Sequence, residues 1–145
     1  MRRLILLAVL LLAFVGMPVF AADRLEEQVS EIEALAVTAH WRESNARIEA
    51  LASQSDALST GQRQRIEYVR LRNLALAGQL TEAMEGLAAL LEQEMPAALR
   101  IRIYGTATSV AANIEDWSRA FTWLNEGLSY LPEAPEQSHT LLGTA

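Results

Sequence analysis

Residues 101–132, IRIYGTATSVAANIEDWSRAFTWLNEGLSYLP, constrain the fold more than any other stretch of the chain. Tyr104, Ala107 and Ala111 recur at spacings of three and four, as do Trp117, Ala120, Phe121, Leu124 and Leu128. Both series follow the helical period and predict two amphipathic helices. Asn113 to Asp116 is a short connection, so the two helices must run antiparallel. Small residues stand where the backbones must approach, and Pro132 ends the second helix. Trp117 and Phe121, four apart, are expected in the core or an interface. Trp123 lies off that face and is expected to cover a neighbouring element.

The same period runs through the rest of the chain. Asp23 opens a helix with an apolar stripe at Leu25, Val29, Ile32, Ala36 and Ala39. A second follows His40, with Trp41, Ile48 and Leu51 on its inner face. After a polar turn over 54–60, Ser59 and Gln62 have capping-box spacing and predict a third helix start. That helix carries Ile66, Val69, Leu71, Leu74 and Ala77 and closes at Gly78. The fourth presents Leu80, Ala83, Met84, Leu87, Leu90 and Leu91. Pro96 is placed at the start of the fifth helix, Asp116 at the N-cap of the sixth, and Pro135 before a short last one. Hairpins are thus expected near 23–55, 60–94 and 96–131, then a truncated helix from 135. The equivalent small residues Ser44, Ala83 and Ala120 lie 39 and 37 positions apart. One hairpin cannot bury its own apolar face, so each must stack on the next, and the fold class is all-α.

The order of residues around the clearest turn resembles a tetratricopeptide repeat (TPR), a helix–turn–helix unit of about 34 residues. Trp117 stands at the aromatic that opens the second helix, Ala120 at its small packing position, and Leu124 at the following large one. Gly127-Leu128 replaces the usual Ala-Leu, and Pro132 closes the unit. Ala77 to Ala83 is a second TPR-like turn. Tyr104, Thr108 and Ala111 depart from the family's residues. The resemblance implies a right-handed solenoid of antiparallel hairpins whose first helices line a concave surface. Carried onto this chain, the groove positions are Arg65, Tyr68 and Arg72, then Arg102, Ser109 and Asn113. Such a set suits a carboxylate-bearing peptide or protein partner, or a small anion, held by guanidinium groups. The competing reading pairs these arginines with neighbouring glutamates on the surface.

Met1-Arg2-Arg3, the apolar run Leu4 to Val15, the breakers Gly16 and Pro18, and Val19-Phe20-Ala21 read as a signal peptide over 1–21, cleaved after Ala21. An uncleaved anchor is the alternative, since Leu4 to Ala22 nearly spans a bilayer at roughly 20 residues. Residues 22–145 then form the repeat domain, with ten arginines, no lysine and eighteen acidic residues, a net charge of −8. That charge makes nucleic acid a poor partner. The absence of cysteine leaves apolar packing to hold the fold in an oxidising space, and excludes a lipid-modified N-terminal cysteine. His40 and His139 are read as structural or solvated, Glu26-Glu27 and Glu31-Ile32-Glu33 as a solvated face, and Thr106, Thr108 and Ser109 as small packing residues. No metal, cofactor or catalytic set is expected.

An exported TPR-like array directly after a leader, with Asn113-Ile114-Glu115-Asp116-Trp117 at its clearest turn, resembles the periplasmic front region of certain membrane diguanylate cyclases. There a transmembrane helix and a cytoplasmic GGDEF domain follow. This chain holds no GGDEF motif and closes on Leu141-Leu142-Gly143-Thr144-Ala145 without a polar cap. The expectation is therefore the front portion of a longer protein, with any cyclase domain beyond residue 145. The resemblance implies a non-enzymatic sensing or interaction module of c-di-GMP signalling, in the periplasm of a Gram-negative bacterium. It would touch the membrane only through the leader or a downstream helix. A free-standing periplasmic adaptor binding envelope proteins is the alternative, and either form allows a homodimer.

Overall fold

A computed structural model describes residues 22–142, which are helical with no strand. The expected leader, and Gly143 to Ala145, lie outside that range. Helix α1 covers 22–37, α2 Trp41–Leu51, α3 Thr60–Leu76, α4 Leu80–Leu91, α5 Ala97–Asn113, α6 Trp117–Ser129 and α7 Ser138–Leu142. Short 3-10 turns at Ala52–Ala57 and Pro135–Gln137 lead into α3 and α7. From α2 to α6 each helix packs against its successor, and α5 also touches α3 and α7.

Three of the connections are one turn repeated. Ala39, Gly78 and Glu115 each take a left-handed conformation, with φ of 62°, 85° and 63°. At each, its own N–H bonds three residues back and the next N–H five residues back: His40 to the Leu35 carbonyl, Gln79 to Leu74, Asp116 to Ala111. This closing pattern satisfies the orphan carbonyls at a helix end. The next helix begins two residues on, at Trp41, Leu80 or Trp117. Only Gly78 takes the conformation without steric cost. Ala39 was expected to extend the α1 stripe; it is instead the exposed turn residue, because the helix has already stopped.

Other boundaries follow from capping. Ser59 and Gln62 form a reciprocal box: Gln62 N–H donates to Ser59 Oγ at 3.2 Å, and Ser59 N–H to Gln62 Oε1 at 2.9 Å. Asp116 accepts from Arg119 N–H at 3.1 Å. Pro96 is the N-cap of α5 rather than its first helical residue. Arg100 donates to the carbonyls of Leu91 and Gln93 at 2.8 and 2.7 Å, holding the C-terminus of α4.

Leu25, Val29, Ile32 and Ala36 bury the α1 stripe, and Leu71, Leu87, Ile101 and Ile103 fill the centre. Burial of such a side chain contributes about 1.5–3 kcal/mol. A polar seam crosses this core. Buried Asn73 donates to Ser44 Oγ at 3.2 Å and to Asn45 Oδ1 at 2.8 Å, and Ser44 Oγ donates to the Ile32 carbonyl at 3.2 Å. The small residue Ser44 thereby ties α1, α2 and α3. Gly127 plays the equivalent close-contact role lower down: a Cβ there would meet Tyr104 Cβ at 2.9 Å and Leu141 Cδ2 at 3.0 Å.

Helix α6 corrects the sequence reading. Its buried face is Ala120, Trp123 and Gly127, with Leu124 half-buried. Trp117 and Phe121, expected in the core or an interface, are not in the core of this chain: they are 57% and 63% exposed, and Leu128 is 38% exposed. Trp123, expected off the packed face, is in the core beneath the Arg119 guanidinium. The two sets lie about a quarter-turn apart on the helix. Helix α5 covers only one of them. Ala77 is exposed as well, one residue past the end of α3.

Candidate functional site

A concavity of about 610 Å³ forms a groove along the first helices of the successive pairs. Its walls come from α3 and α5, with the end of α1 at one side and residues 137–140 at the other. Tyr68, Arg72, Arg102, Ser109 and Asn113, five of the six groove candidates, line it together. Arg65 does not; with Arg102 it lines a smaller depression of about 270 Å³.

Glu33 causes that difference. Its carboxylate accepts from Arg65 Nε at 3.1 Å and Nη2 at 2.5 Å, and from Arg102 Nη1 at 3.1 Å. Arg65 also reaches Glu26 at 2.5 Å. The four residues form a chain of alternating charge, Glu26–Arg65–Glu33–Arg102, which sums to zero. The Glu33 hydrogen bond drives the Arg65 pKa upward. The Arg65 hydrogen bond, and then that of Gln62, holds Glu26 below the usual carboxylate range. For Arg65 and Arg102 the surface-pairing reading therefore applies. For Glu33 the solvated-face reading fails: its side chain is 15% exposed because α3 and α5 close over it. Neighbouring Glu31 does face solvent and pairs with Arg47 at 2.6 Å.

Arg72 differs from its two companions. It makes no ion pair or hydrogen bond with any described residue, and no acidic residue lines the groove. The groove thus carries a surplus positive charge in a chain of net charge −6. Around it the hydrogen-bonding groups are fixed. Tyr68 Oη pairs with Thr106 Oγ1 at 3.0 Å while Arg102 lies 5.1 Å above the Tyr68 ring. Ser109 donates to the Gly105 carbonyl at 3.1 Å, and Asn113 Nδ2 to the Ser109 carbonyl at 2.8 Å. Thr106, read as packing, is a wall residue. Val37 and Leu76, 69% and 50% exposed, form an apolar lip beside Arg72. Leu76, one helical turn after Arg72, was the available signal for that lip; Val37, 35 positions away, offered none. Gln137, His139 and Thr140 close the far wall.

No group of three or more His, Asp or Glu side chains able to hold a metal occurs among the described residues. No described helix is long and apolar enough to cross a membrane. Compared with known proteins, the chain matches no family model, no curated protein and no solved structure.

Proposed function

We propose that this chain is a non-catalytic, TPR-like recognition module that holds a carboxylate-bearing ligand against Arg72. A single observation carries the reading: Arg72 is a half-buried arginine with no acidic partner among the described residues, set in a groove that has no acidic wall. A partly buried guanidinium of that kind gains most from a carboxylate that can accept two of its N–H groups. The apolar lip of Val37 and Leu76 suits a short aliphatic side chain next to that carboxylate. The C-terminal residue of a peptide has both features. The balanced cluster around Glu33 holds α1, α3 and α5 as a fixed wall, so the ligand meets a pre-formed surface.

The helical hairpins, the repeated turn and the leader-like first residues support placing such a module outside the inner membrane. There it would serve as the sensing part of a membrane signalling protein of the diguanylate cyclase type. Mixed short peptides ending in Ala, Val or Leu, prepared with a free or an amidated C-terminus, test the site. Binding to the free acids, lost on amidation and reduced about tenfold or more in Arg72→Gln, is expected. Equal binding of acid and amide, or no effect of Arg72→Gln, sinks the proposal. Reading the codons downstream of Ala145 tests the placement.

A further inference from the structure

The apolar side of α6 carries an inference independent of the groove. Trp117, Phe121 and Leu128 are three of the five large exposed hydrophobic residues described, and all lie on one side of this helix with half-buried Leu124 between them. The molecule contains a precedent for that arrangement. Thirty-seven residues earlier, α4 carries Leu80, Met84, Leu87 and Leu91 at the same positions. There Met84, Leu87 and Leu91 are buried, at 9%, 0% and 8% exposure, and α5 packs on α4. Side chains in this register therefore seat a helix, and on α6 no described helix fills that seat.

We propose that a second copy of this chain fills it, α6 packing antiparallel on α6 about a two-fold axis. The spacing of 117, 121, 124 and 128 is four, three, four, which reads the same in both directions. Antiparallel pairing sets Trp117 against Leu128 of the other copy and Phe121 against Leu124, aromatic on aliphatic in every contact. A parallel pairing would set bulk against bulk. The stripe is flanked by Ser118 and Asn125, while Arg119 and Glu126 project from the other side of the helix. Two copies therefore meet there without like charges, although each carries a net charge of −6. A bilayer is the poorer occupant, because no basic residue borders the stripe to meet anionic lipid. Trp117 and Phe121 each leave roughly 100–150 Å² uncovered, which puts the interface at the small end of the size range and the affinity near the micromolar level.

Sedimentation equilibrium on the full chain, expressed with its own N-terminus so that natural processing occurs, tests this. A dimer with a dissociation constant on the order of 10 µM is expected. Phe121→Glu should weaken it by about a hundredfold, since each dimer contains the substitution twice and each lost contact removes about tenfold. The thermal melt of that variant measured at high dilution should match the parent, because the side chain is exposed in the monomer. The chain has no cysteine, so Trp117→Cys and Leu128→Cys variants can be mixed and oxidised cleanly. The mixed disulfide should form in preference to either homodimer. A monomer at every concentration, whatever else then covers the stripe, overturns the proposal. So does a dimer that survives Phe121→Glu, or cross-linking that favours Trp117→Cys with itself.

Discussion

Replacing Glu33 by Gln should lower stability and raise anion affinity together, two readouts of opposite sign from one atom-for-atom exchange. The side chain keeps its shape and loses its charge. Arg65 and Arg102, whose side chains are 26% and 30% exposed, then lose the anion they share. Removing one partner of a fully buried pair costs about 3–5 kcal/mol. An exposed pair contributes about 0.2–1 kcal/mol. Here both arginine side chains remain partly exposed and Glu26 still offsets Arg65, so the loss should fall between the exposed and buried ranges, at about 2 kcal/mol. For a domain of this size that is a fall in Tm of roughly 6–10 °C. Urea denaturation should show the same loss as a shifted midpoint with an unchanged slope. A change below about 0.3 kcal/mol refutes the claim that the cluster fixes the helices.

The second readout follows from Arg102. Freed from Glu33, its guanidinium can turn into the groove beside Arg72, and a free C-terminal carboxylate should bind several-fold more tightly. Arg102→Gln in the Glu33→Gln background should cancel that gain. If affinity falls in Glu33→Gln instead, the wall must be rigid before Arg72 can work, and the freed arginine contributes nothing.

The remaining predictions test separate parts of the fold. Trp123→Ala should cost about 3–5 kcal/mol by emptying a core position, whereas Trp117→Ala should change monomer stability by no more than about 0.5 kcal/mol; calorimetry of the two variants checks which tryptophan is packed. Glu115→Gly should stabilise by roughly 0.5–1 kcal/mol, since the left-handed turn at φ 63° costs glycine nothing, and a lower urea midpoint would count against it. Burial first, and the Glu126 carboxylate second, push the Tyr104 hydroxyl up to about 12 from 10.0. A raised folded value means its contribution is complete below pH 10 and is lost as pH rises from 10 towards 12, by about 3 kcal/mol at most. Tyr104→Phe keeps the ring stacked 6.1 Å from Tyr130 and should flatten the stability profile across that window.

Periodicity made the helices readable, and its limits explain the errors on α6. Positions 117, 121, 124 and 128 form one helical stripe, and 120, 123, 124 and 127 form another that is equally regular. Spacing defines a stripe but not the side on which the neighbour stands. The backbone of α5 settles that here, because Gly127 and Ala120 allow it to approach where Trp117 and Phe121 would not. Glu33 was unreadable for a different reason. Locally it matches Glu31, two residues earlier, and only Arg65 and Arg102, 32 and 69 positions away, separate the two.

The same long-range logic distinguishes the arginines of α3. Arg65 and Arg72 are seven residues apart, two turns of one face, and have the same local signal. Helix α1 runs beside them and supplies Glu26 and Glu33 at the level of Arg65. At the level of Arg72 it supplies Val37, and then it ends at the left-handed Ala39. An acidic residue at 37 would turn Arg72 into another structural pair and remove the surplus charge from the groove. Val37→Glu is therefore the sharpest internal control on the proposed site: it should close the groove to carboxylates while leaving α1, the Glu33 cluster and the core unchanged. Retained carboxylate binding in that variant would show that Arg72 is not the group that holds the ligand.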